Sequence, residues 1–301
     1  MWIARPPAWW DPLWRGAALG ALSATTASAA RWLRDSLDAR ARVRVPGRPA
    51  AIEPPAARAQ QRQADTPLWR LVEGRLARRA LAPFRVRPTF RPLRALNLDH
   101  GPGGIALVLG AAAPQDAIVV ATDAQAGMAE LARERASRRG GSGGSGGSGG
   151  RGAAGRGAPV VFVRARPERL PFREGAFDLV VSAGGLHQWR DPVGALREVG
   201  RTLVPGGGRY LIADVRRDVT LAVWLLLRLG QALFAPRALQ ALDEPSASYR
   251  AGYAPPEAEW LAARAKLPDL NVVRGAAWIM IERGAASPPR NRIAPPKENR
   301  Q

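Results

Sequence analysis

The sequence contains no cysteine and only two histidines, and each scarcity excludes a class of site. Without cysteine the chain has no disulfide scaffold, no thiolate zinc or iron–sulfur centre and no cysteine nucleophile. His100 and His187 are too few for a histidine-rich metal site, so we expect no bound metal. No run of roughly 18 or more uncharged apolar residues occurs, so the sequence predicts no transmembrane helix.

Lysine is scarce as well, because Lys266 and Lys297 are the only two in the chain and arginine carries nearly all of the positive charge. The formal net charge is +20, and a field of this sign attracts phosphates and acidic surfaces. This keeps an RNA-associated protein among the alternatives, although the chain has no recognisable RNA-binding module. The abundance of Ala, Gly, Pro and Arg is typical of a GC-rich genome, and we interpret the charge mainly as coding bias.

Composition divides the chain into an extension, a central domain and a tail. Residues 1–64 are predicted to form an irregular or helical extension that ends in a linker, and residues 65–284 to form one domain. Residues 285–301, with Pro-Pro pairs and mixed charges, are predicted to be a disordered basic tail. We interpret the weakly apolar residues 16–30, in a Trp-rich region, as a packing helix, and peripheral membrane contact stays open. The absence of a convincing targeting segment favours a cytoplasmic protein.

From position 93 onward, predicted strands alternate with predicted helices, after a first helix over 66–82. This order predicts a parallel sheet with helices on both faces. The predicted strands are 93–98, 117–122, 160–163, 177–182 and 209–215, and the predicted helices between them are 105–112, 127–136 and 192–203.

Repeated Gly-Gly-Ser units interrupt the alternation at residues 137–159. Such a segment cannot bury enough apolar surface to offset the conformational entropy that ordering it would cost. We predict a flexible low-complexity insertion between the second helix and the third strand.

A glycine-rich turn, Gly101-Pro102-Gly103-Gly104-Ile105-Ala106, follows the first strand and opens a helix. In such a turn the backbone approaches a ligand closely, and the N–H groups of the helix face it. Asp123 ends the next strand, where a carboxylate can accept hydrogen bonds from both hydroxyls of a ribose. The pair therefore predicts an adenosine-containing cofactor. This pattern fits both a nicotinamide dinucleotide and S-adenosylmethionine, and a strand-to-helix turn that binds no ligand is a third alternative.

Three later segments distinguish between these cofactors: residues 168–172 (ERLPF), 175–182 (GAFDLVVS) and 201–208 (RTLVPGGG), with Leu-His-Gln-Trp at 186–189 between the last two. Together with the glycine turn, this series resembles the class I S-adenosylmethionine-dependent methyltransferases, in the small-molecule branch that includes quinone-biosynthesis enzymes. The resemblance covers about residues 93–214, with a looser match to residue 283.

The resemblance implies an α/β fold: a Rossmann-like, doubly wound, seven-stranded and mostly parallel sheet with a terminal antiparallel hairpin. It implies a transferase that moves a methyl group from S-adenosyl-L-methionine to a small molecule. It also implies cofactor-binding roles for Asn97, Asp99, Gly101, Gly103, Asp123, Ala124, Arg166, Pro167 and Ser182.

Three positions depart from the family pattern. Asn97 stands where the family usually has an acid, and Asp99 stands where it usually has glycine. The carboxylate of Asp99 either crowds the methionine moiety or binds its ammonium group in place of the missing acid. Arg166 stands where the family often has an aspartate that contacts adenine, and arginine cannot accept that hydrogen bond. A non-catalytic relative with impaired cofactor binding is therefore an alternative.

His187 is the candidate catalytic residue, because it follows the fourth strand near the place where family substrates lie. Its ordinary pKa suits proton transfer from a phenol or hydroxyl acceptor. Residues 219–234 are rich in Leu, Trp and Phe, and we interpret them as an ordinary buried helix, with an apolar cover over the substrate as the alternative.

Overall fold

The computed structural model describes residues 58, 59, 62, 65–86, 91–99, 101–140 and 157–283. The helices and strands in chain order are α1 (Pro67–Val86), β1 (Arg94–Leu98), α2 (Gly104–Ala112), β2 (Ile118–Asp123), α3 (Ala126–Gly140), β3 (Val160–Arg164), β4 (Leu179–Ala183), α4 (Pro192–Thr202), β5 (Arg209–Val215), α5 (Leu221–Phe234), α6 (Arg237–Gln240), α7 (Ser246–Ala251), α8 (Pro255–Arg264), β6 (Leu270–Arg274) and β7 (Trp278–Arg283). A short 3₁₀ turn (Leu186–Gln188) follows β4.

The seven strands form one sheet in the order β3-β2-β1-β4-β5-β7-β6. Strands β1 to β5 pair in parallel, whereas β7 pairs antiparallel with both β5 and β6. This confirms the predicted doubly wound sheet with its terminal hairpin. The chain winds outward through β1, β2 and β3, then returns to β4 beside β1. The strand order therefore reverses between β1 and β4, which is where open α/β sheets bind ligands.

The central strands are buried on both faces, as parallel strands between two helix layers must be. Leu98 and Val180 point into one apolar cluster, and Leu179 and Val181 point into the other. Asp178 secures the start of β4, since its carboxylate accepts hydrogen bonds from Arg91 at 2.5 Å and from the backbone N–H of Arg94 at 3.0 Å. Ion pairs therefore stabilise the edge of the sheet at which the parallel strands begin, opposite the edge at which they end.

The predicted insertion is narrower at both ends in the structure. Helix α3 continues to Gly140, so residues 137–140 are helical. On the far side, the Ala158 N–H donates to the Gly110 carbonyl at 2.8 Å, and the Pro159 carbonyl accepts from Val119 at 3.1 Å. Backbone pairing thus extends to positions where glycine content alone predicted a loop. Residues 141–156, the extension up to residue 57 and the tail from residue 284 lie outside the described residues.

Helix α5 contradicts the prediction of an ordinary buried helix. Leu221 is 72% exposed, Leu226 is 69% exposed and Phe234 is 82% exposed, and Gln231 is the buried residue of this helix. Apolar content gave the helix correctly, but it carries no information on whether another element covers that helix. Within the described part of the chain, no helix is long and apolar enough to cross a membrane.

Candidate functional site

The candidate site lies at the carboxyl ends of β1, β2, β4 and β5, around the reversal of strand order. The backbone turns that follow these strands place three carboxylates at one edge of the sheet: Asp99 after β1, Asp123 at the end of β2 and Asp214 near the end of β5. Sequence reasoning finds the first two around the glycine turn. It misses Asp214, which the same rule about strand ends would have indicated.

The glycine turn has the backbone that its sequence predicts. Gly101 and Gly103 both have positive φ, 51° and 82°, a region that favours glycine. A side chain at Gly103 would lie 2.9 Å from the Cβ of Ala132, so glycine here lets α3 pack closely. A side chain at Gly101 would meet no described atom within 4 Å, and the same is true of Gly184 after β4. Open space therefore adjoins the backbone on both sides of the reversal.

Asp123 is buried and holds the glycine turn in place. Its two carboxylate oxygens accept hydrogen bonds from the backbone N–H groups of Gly101 at 3.0 Å and Gln125 at 2.8 Å. Burial raises the pKa of Asp123 to about 6, although these two hydrogen bonds oppose the shift. Each oxygen still has acceptor capacity, because a carboxylate offers about four acceptor directions. Asp123 can thus shape the turn and bind a pair of hydroxyls together.

Two buried polar atoms next to the turn have no hydrogen-bond partner among the described residues. Asn97 donates from its side-chain nitrogen to the carbonyls of Leu98 and Val181, which leaves its Oδ1 without a partner. Ser182 is fully buried, and its Oγ has no partner. A buried polar group without a partner costs free energy, and each such group calls for an explanation. A ligand that donates hydrogen bonds to these two oxygens would be such an explanation.

Asp99 is the most perturbed acid of the site. Its φ of 50° is unusual for a residue with a side chain, and its carboxylate accepts a hydrogen bond from Nε1 of Trp189. The pKa of Asp99 is raised to about 7, chiefly by burial and in smaller part by the charges of Asp123, Glu168 and Asp214, and the hydrogen bond from Trp189 opposes the shift. The loop thus brings several acids close together, and the charge of Asp99 is also one of the causes that raise the pKa of His187.

Glu73 reaches the glycine turn from α1, far away in the sequence. It is 9% exposed, and a side chain at Gly104 would overlap its Oε1. Because Gly104 has no side chain, the Glu73 carboxyl group can lie against the first turn of α2. A negative charge is stabilised at a helix N-terminus. No spacing in the sequence connects these two positions, so sequence reasoning misses Glu73.

His187 is paired with Asp214. The Nδ1 atom of His187 lies 2.8 Å from Oδ1 of Asp214, and the backbone N–H of His187 donates to Oδ2 at 2.7 Å. Burial lowers the pKa of His187, but the hydrogen bond and charge of Asp214, with the charges of Glu244 and Asp99, outweigh it, and the net shift is upward. A carboxylate that holds one ring nitrogen orients the other as a proton acceptor.

The remaining predicted residues lie in turns next to Asp123. The Asp123 carbonyl accepts from Ala165 at 3.0 Å, which places Arg166 and the buried Pro167 just beyond the end of β3. The carbonyl of Ala124 accepts from Nε of Arg164 at 3.1 Å. These turns border the site with backbone atoms. Among the described residues, no group of three His, Asp or Glu side chains could hold a metal ion.

Residues 98–211 match the family model for a methyltransferase domain. Over 150 residues the chain is 34% identical to the ubiquinone/menaquinone biosynthesis C-methyltransferase of Xanthomonas campestris, which covers 47% of this chain and 53% of that protein. It is 37% identical to the demethylmenaquinone methyltransferase of Thermus thermophilus over 116 residues, 38% of this chain and 44% of that protein. The chain thus spans about half the length of these curated relatives.

A solved structure has the same fold at low identity. It is described as a putative S-adenosyl-L-methionine-dependent methyltransferase of Methanococcus maripaludis, and it covers 78% of this chain and 96% of its own with a TM-score of 0.53 and 16% identity. The segment that matches the family model contains the glycine turn and the strands β2, β3 and β4. Residues 98–211 are therefore similar to a methyltransferase domain, and the described residues share the fold of this solved structure.

Proposed function

We propose that the protein transfers a methyl group from S-adenosylmethionine to a small molecule. The observation that carries the proposal is a pair of acids, Asp99 and Asp123, beside open space. Asp99 and Asp123 lie next to Gly101, where a side chain would find no described atom within 4 Å. S-adenosylmethionine carries two positive groups, a sulfonium and an ammonium, and one carboxylate. Its net charge and its ribose hydroxyls suit such a site.

The residues present fit this cofactor better than a dinucleotide. A dinucleotide places its pyrophosphate at the N-terminus of the helix after the glycine turn. The carboxyl group of Glu73 stands at the first residue of that helix, and Asp99 precedes the turn. The Glu73 carboxyl group thus occupies the place that a pyrophosphate would need, and an ionised Asp99 would repel a pyrophosphate and attract a cationic ligand. Asp123 would hold the ribose, and the backbone near Pro167 would border the adenine.

Methyl transfer is a displacement in which the bound cofactor supplies a methyl group that its positive sulfur already activates. The protein's contribution is chiefly to hold donor and acceptor in line at the distance of reaction. His187 supplies the second contribution. Its Nδ1 is held by Asp214 at 2.8 Å, so Nε2 is the nitrogen that can receive a proton from an acceptor hydroxyl or carbon acid. Asp214 orients the ring and stabilises the imidazolium that results.

The relatives' names point to the class of acceptor. Those proteins are named for ubiquinone, menaquinone and demethylmenaquinone, so we propose an apolar quinone-like ring as the acceptor. Helix α5 supports this choice, because it starts at Leu221 shortly after Asp214 and exposes Leu225, Leu229 and Leu233 by more than half of their surfaces. An exposed apolar helix beside the site suits a substrate with an apolar tail. It also suits contact with a membrane surface that holds such a substrate.

The non-catalytic alternative rests on Asn97 and Arg166, neither of which offers the acidic side chain usual at its position. Asp99 and Asp123 supply acidic groups nearby, which is why we favour a working site. Nucleic-acid association is not favoured, because several arginines of the described region are held in ion pairs, among them those with Asp178, Asp218 and Asp243. We propose the cytoplasm as the compartment, since the proposed donor is synthesised there.

Titration calorimetry with the full chain, freed of endogenous cofactor, tests the proposal. We expect saturable binding of S-adenosylmethionine and S-adenosylhomocysteine and none of NAD. Asp123→Asn should weaken both sulfur ligands, and Asp116→Asn, an exposed acid before β2, serves as the matched control. Wild-type protein that is folded by circular dichroism but binds neither sulfur ligand would support the non-catalytic alternative.

A further inference from the structure

Helix α7 lies against both elements that carry the pair of His187 and Asp214. It packs against the short 3₁₀ turn that contains His187. The chain that leaves α7 contacts the end of β5, because a side chain at Gly252 would lie 2.6 Å from the carbonyl oxygen of Val215. Asp214 directly precedes Val215 in β5. Side chains of α7 are therefore brought to the place where the imidazole and its carboxylate meet.

Hydrogen bonds between α5 and the start of α7 fix this position. The carboxylate of Asp243 accepts from Arg228 and from Gln231, both at 2.7 Å. Gln231 is the buried residue of α5, and its side-chain oxygen accepts from the backbone N–H of Ser246 at 3.2 Å. Ser246 is fully buried. A buried polar network of this kind holds a short helix in one orientation, which α7 would lack on its own.

Tyr249 is the buried side chain of α7 that lies near Asp214. It is 9% exposed, and the charge of Asp214 acts on its phenol group. Buried tyrosines usually find a hydrogen-bond partner, as Tyr210 does at the Pro268 carbonyl, 2.8 Å away. Among the described residues, no atom forms a hydrogen bond with the Tyr249 hydroxyl. This hydroxyl is not an enclosed atom of the described structure either, so it borders space that a ligand can fill.

The hydroxyl of Tyr249 complements the nitrogen of His187 in its hydrogen-bonding role. Burial and the charge of Asp214 raise the pKa of Tyr249, so the group stays protonated at neutral pH and can donate. Asp214 holds Nδ1 of His187, which leaves Nε2 as the atom that accepts a proton. A donor and a proton acceptor beside the same carboxylate suit a ligand hydroxyl, which can serve both at once.

We propose that Tyr249 contacts the methyl acceptor and donates a hydrogen bond to the acceptor hydroxyl whose proton His187 receives. The O–H bond of the acceptor breaks, the proton joins Nε2 of His187, and the oxygen keeps the electron pair. A hydrogen bond aimed at that oxygen stabilises the negative charge as it develops. Tyr249 thereby selects acceptors that carry a hydroxyl at this point. The inference rests on the proposed function, since it concerns the acceptor of that same site.

Two ring compounds that differ in one group test the contact. The probes are 4-nitrophenol and 4-nitrotoluene, which has a methyl group in place of the hydroxyl. Equilibrium dialysis is done with the full chain saturated with S-adenosylhomocysteine. Tyr249→Phe should weaken 4-nitrophenol by about three- to tenfold, as expected for one neutral hydrogen bond, and leave 4-nitrotoluene unchanged. Tyr253→Phe is the matched control, because Tyr253 is more exposed and its ring packs against an apolar cluster. It should change neither affinity.

Nuclear magnetic resonance of histidine-labelled protein locates the probe. The chain has two histidines, so His100→Gln assigns both imidazole signals. In the wild type, 4-nitrophenol should shift the His187 signal and not the His100 signal. Equal losses for both probes in Tyr249→Phe would show that the residue acts only through the fold, and a loss in Tyr253→Phe instead would overturn the assignment.

The dialysis also separates the failure of this inference from the failure of the proposed function. A wild type that binds S-adenosylhomocysteine but not 4-nitrophenol would overturn the role of Tyr249 and leave methyl transfer standing. A folded wild type that does not bind S-adenosylhomocysteine would remove the proposed function, and the inference with it.

Discussion

Replacing Asp99 by Asn should stabilise the empty protein, and increasingly so as the pH rises. The pKa of Asp99 is raised from 3.8 to about 7, chiefly by burial. A carboxyl group with a raised pKa contributes its stability fully below the unfolded pKa and loses it as the pH rises through the folded pKa. The shift corresponds to about 4 kcal/mol at pH 8, at about 1.4 kcal/mol per pKa unit. Asn carries no charge at any pH and escapes this loss.

Urea unfolding at pH 5 and pH 8, followed by circular dichroism without ligand, measures the effect. Because part of the loss has already occurred at pH 5, the difference in unfolding free energy between Asp99→Asn and the wild type should grow by about 2 to 3 kcal/mol between the two pH values. Asp116→Asn, which changes an exposed acid, should show no such growth. A difference between Asp99→Asn and the wild type that stays constant from pH 5 to pH 8 would refute the reasoning that folding raises the pKa of Asp99.

Three further predictions follow from the site and the fold. Asp123→Asn should weaken binding of S-adenosylhomocysteine by roughly ten- to hundredfold in calorimetry, the range for hydrogen bonds to a charged group, and an unchanged affinity would remove Asp123 from the ribose site. His187→Asn should change cofactor affinity by no more than about twofold and should lower the rate of methyl transfer by roughly a hundredfold or more. The rate is measured by release of S-adenosylhomocysteine once an acceptor is found. Equal losses in affinity and rate would indicate that His187 has a structural role. Leu225→Ser combined with Leu229→Ser should reduce co-sedimentation with vesicles of equal parts phosphatidylglycerol and phosphatidylcholine. Arg264→Ala, away from α5, is the control. Equal sedimentation of the double variant and the control would argue against membrane contact through α5.

Much of the fold could be predicted because the strands are short apolar runs separated by glycine, proline and polar turns. The strand predicted over 209–215 has those bounds in the structure, and the others shift by one or two residues at their ends. The seven-stranded topology and its hairpin came from the family resemblance and not from the local pattern. Helix α1 continues through Pro83 to Val86, beyond the predicted end at residue 82.

The candidate site could be predicted only where it follows the chain locally. Gly101, Gly103 and Asp123 lie within one strand–helix–strand unit, and the hydrogen bond between Gly101 and Asp123 joins them in the structure. Glu73 and the pairing of His187 with Asp214 depend on which elements pack together, so no local pattern indicates them. Likewise, the exposure of α5 depends on what covers a helix, and apolar content does not report that.

Calorimetric titration of the cofactor-free full chain with S-adenosylmethionine, beside NAD, tests the central claim most directly. We expect saturable binding with one site per chain for S-adenosylmethionine and no heat of binding for NAD, because the Glu73 carboxyl group occupies the place of a pyrophosphate and Asp99 favours a cationic ligand. Binding of NAD but not of S-adenosylmethionine by the folded protein would contradict that claim.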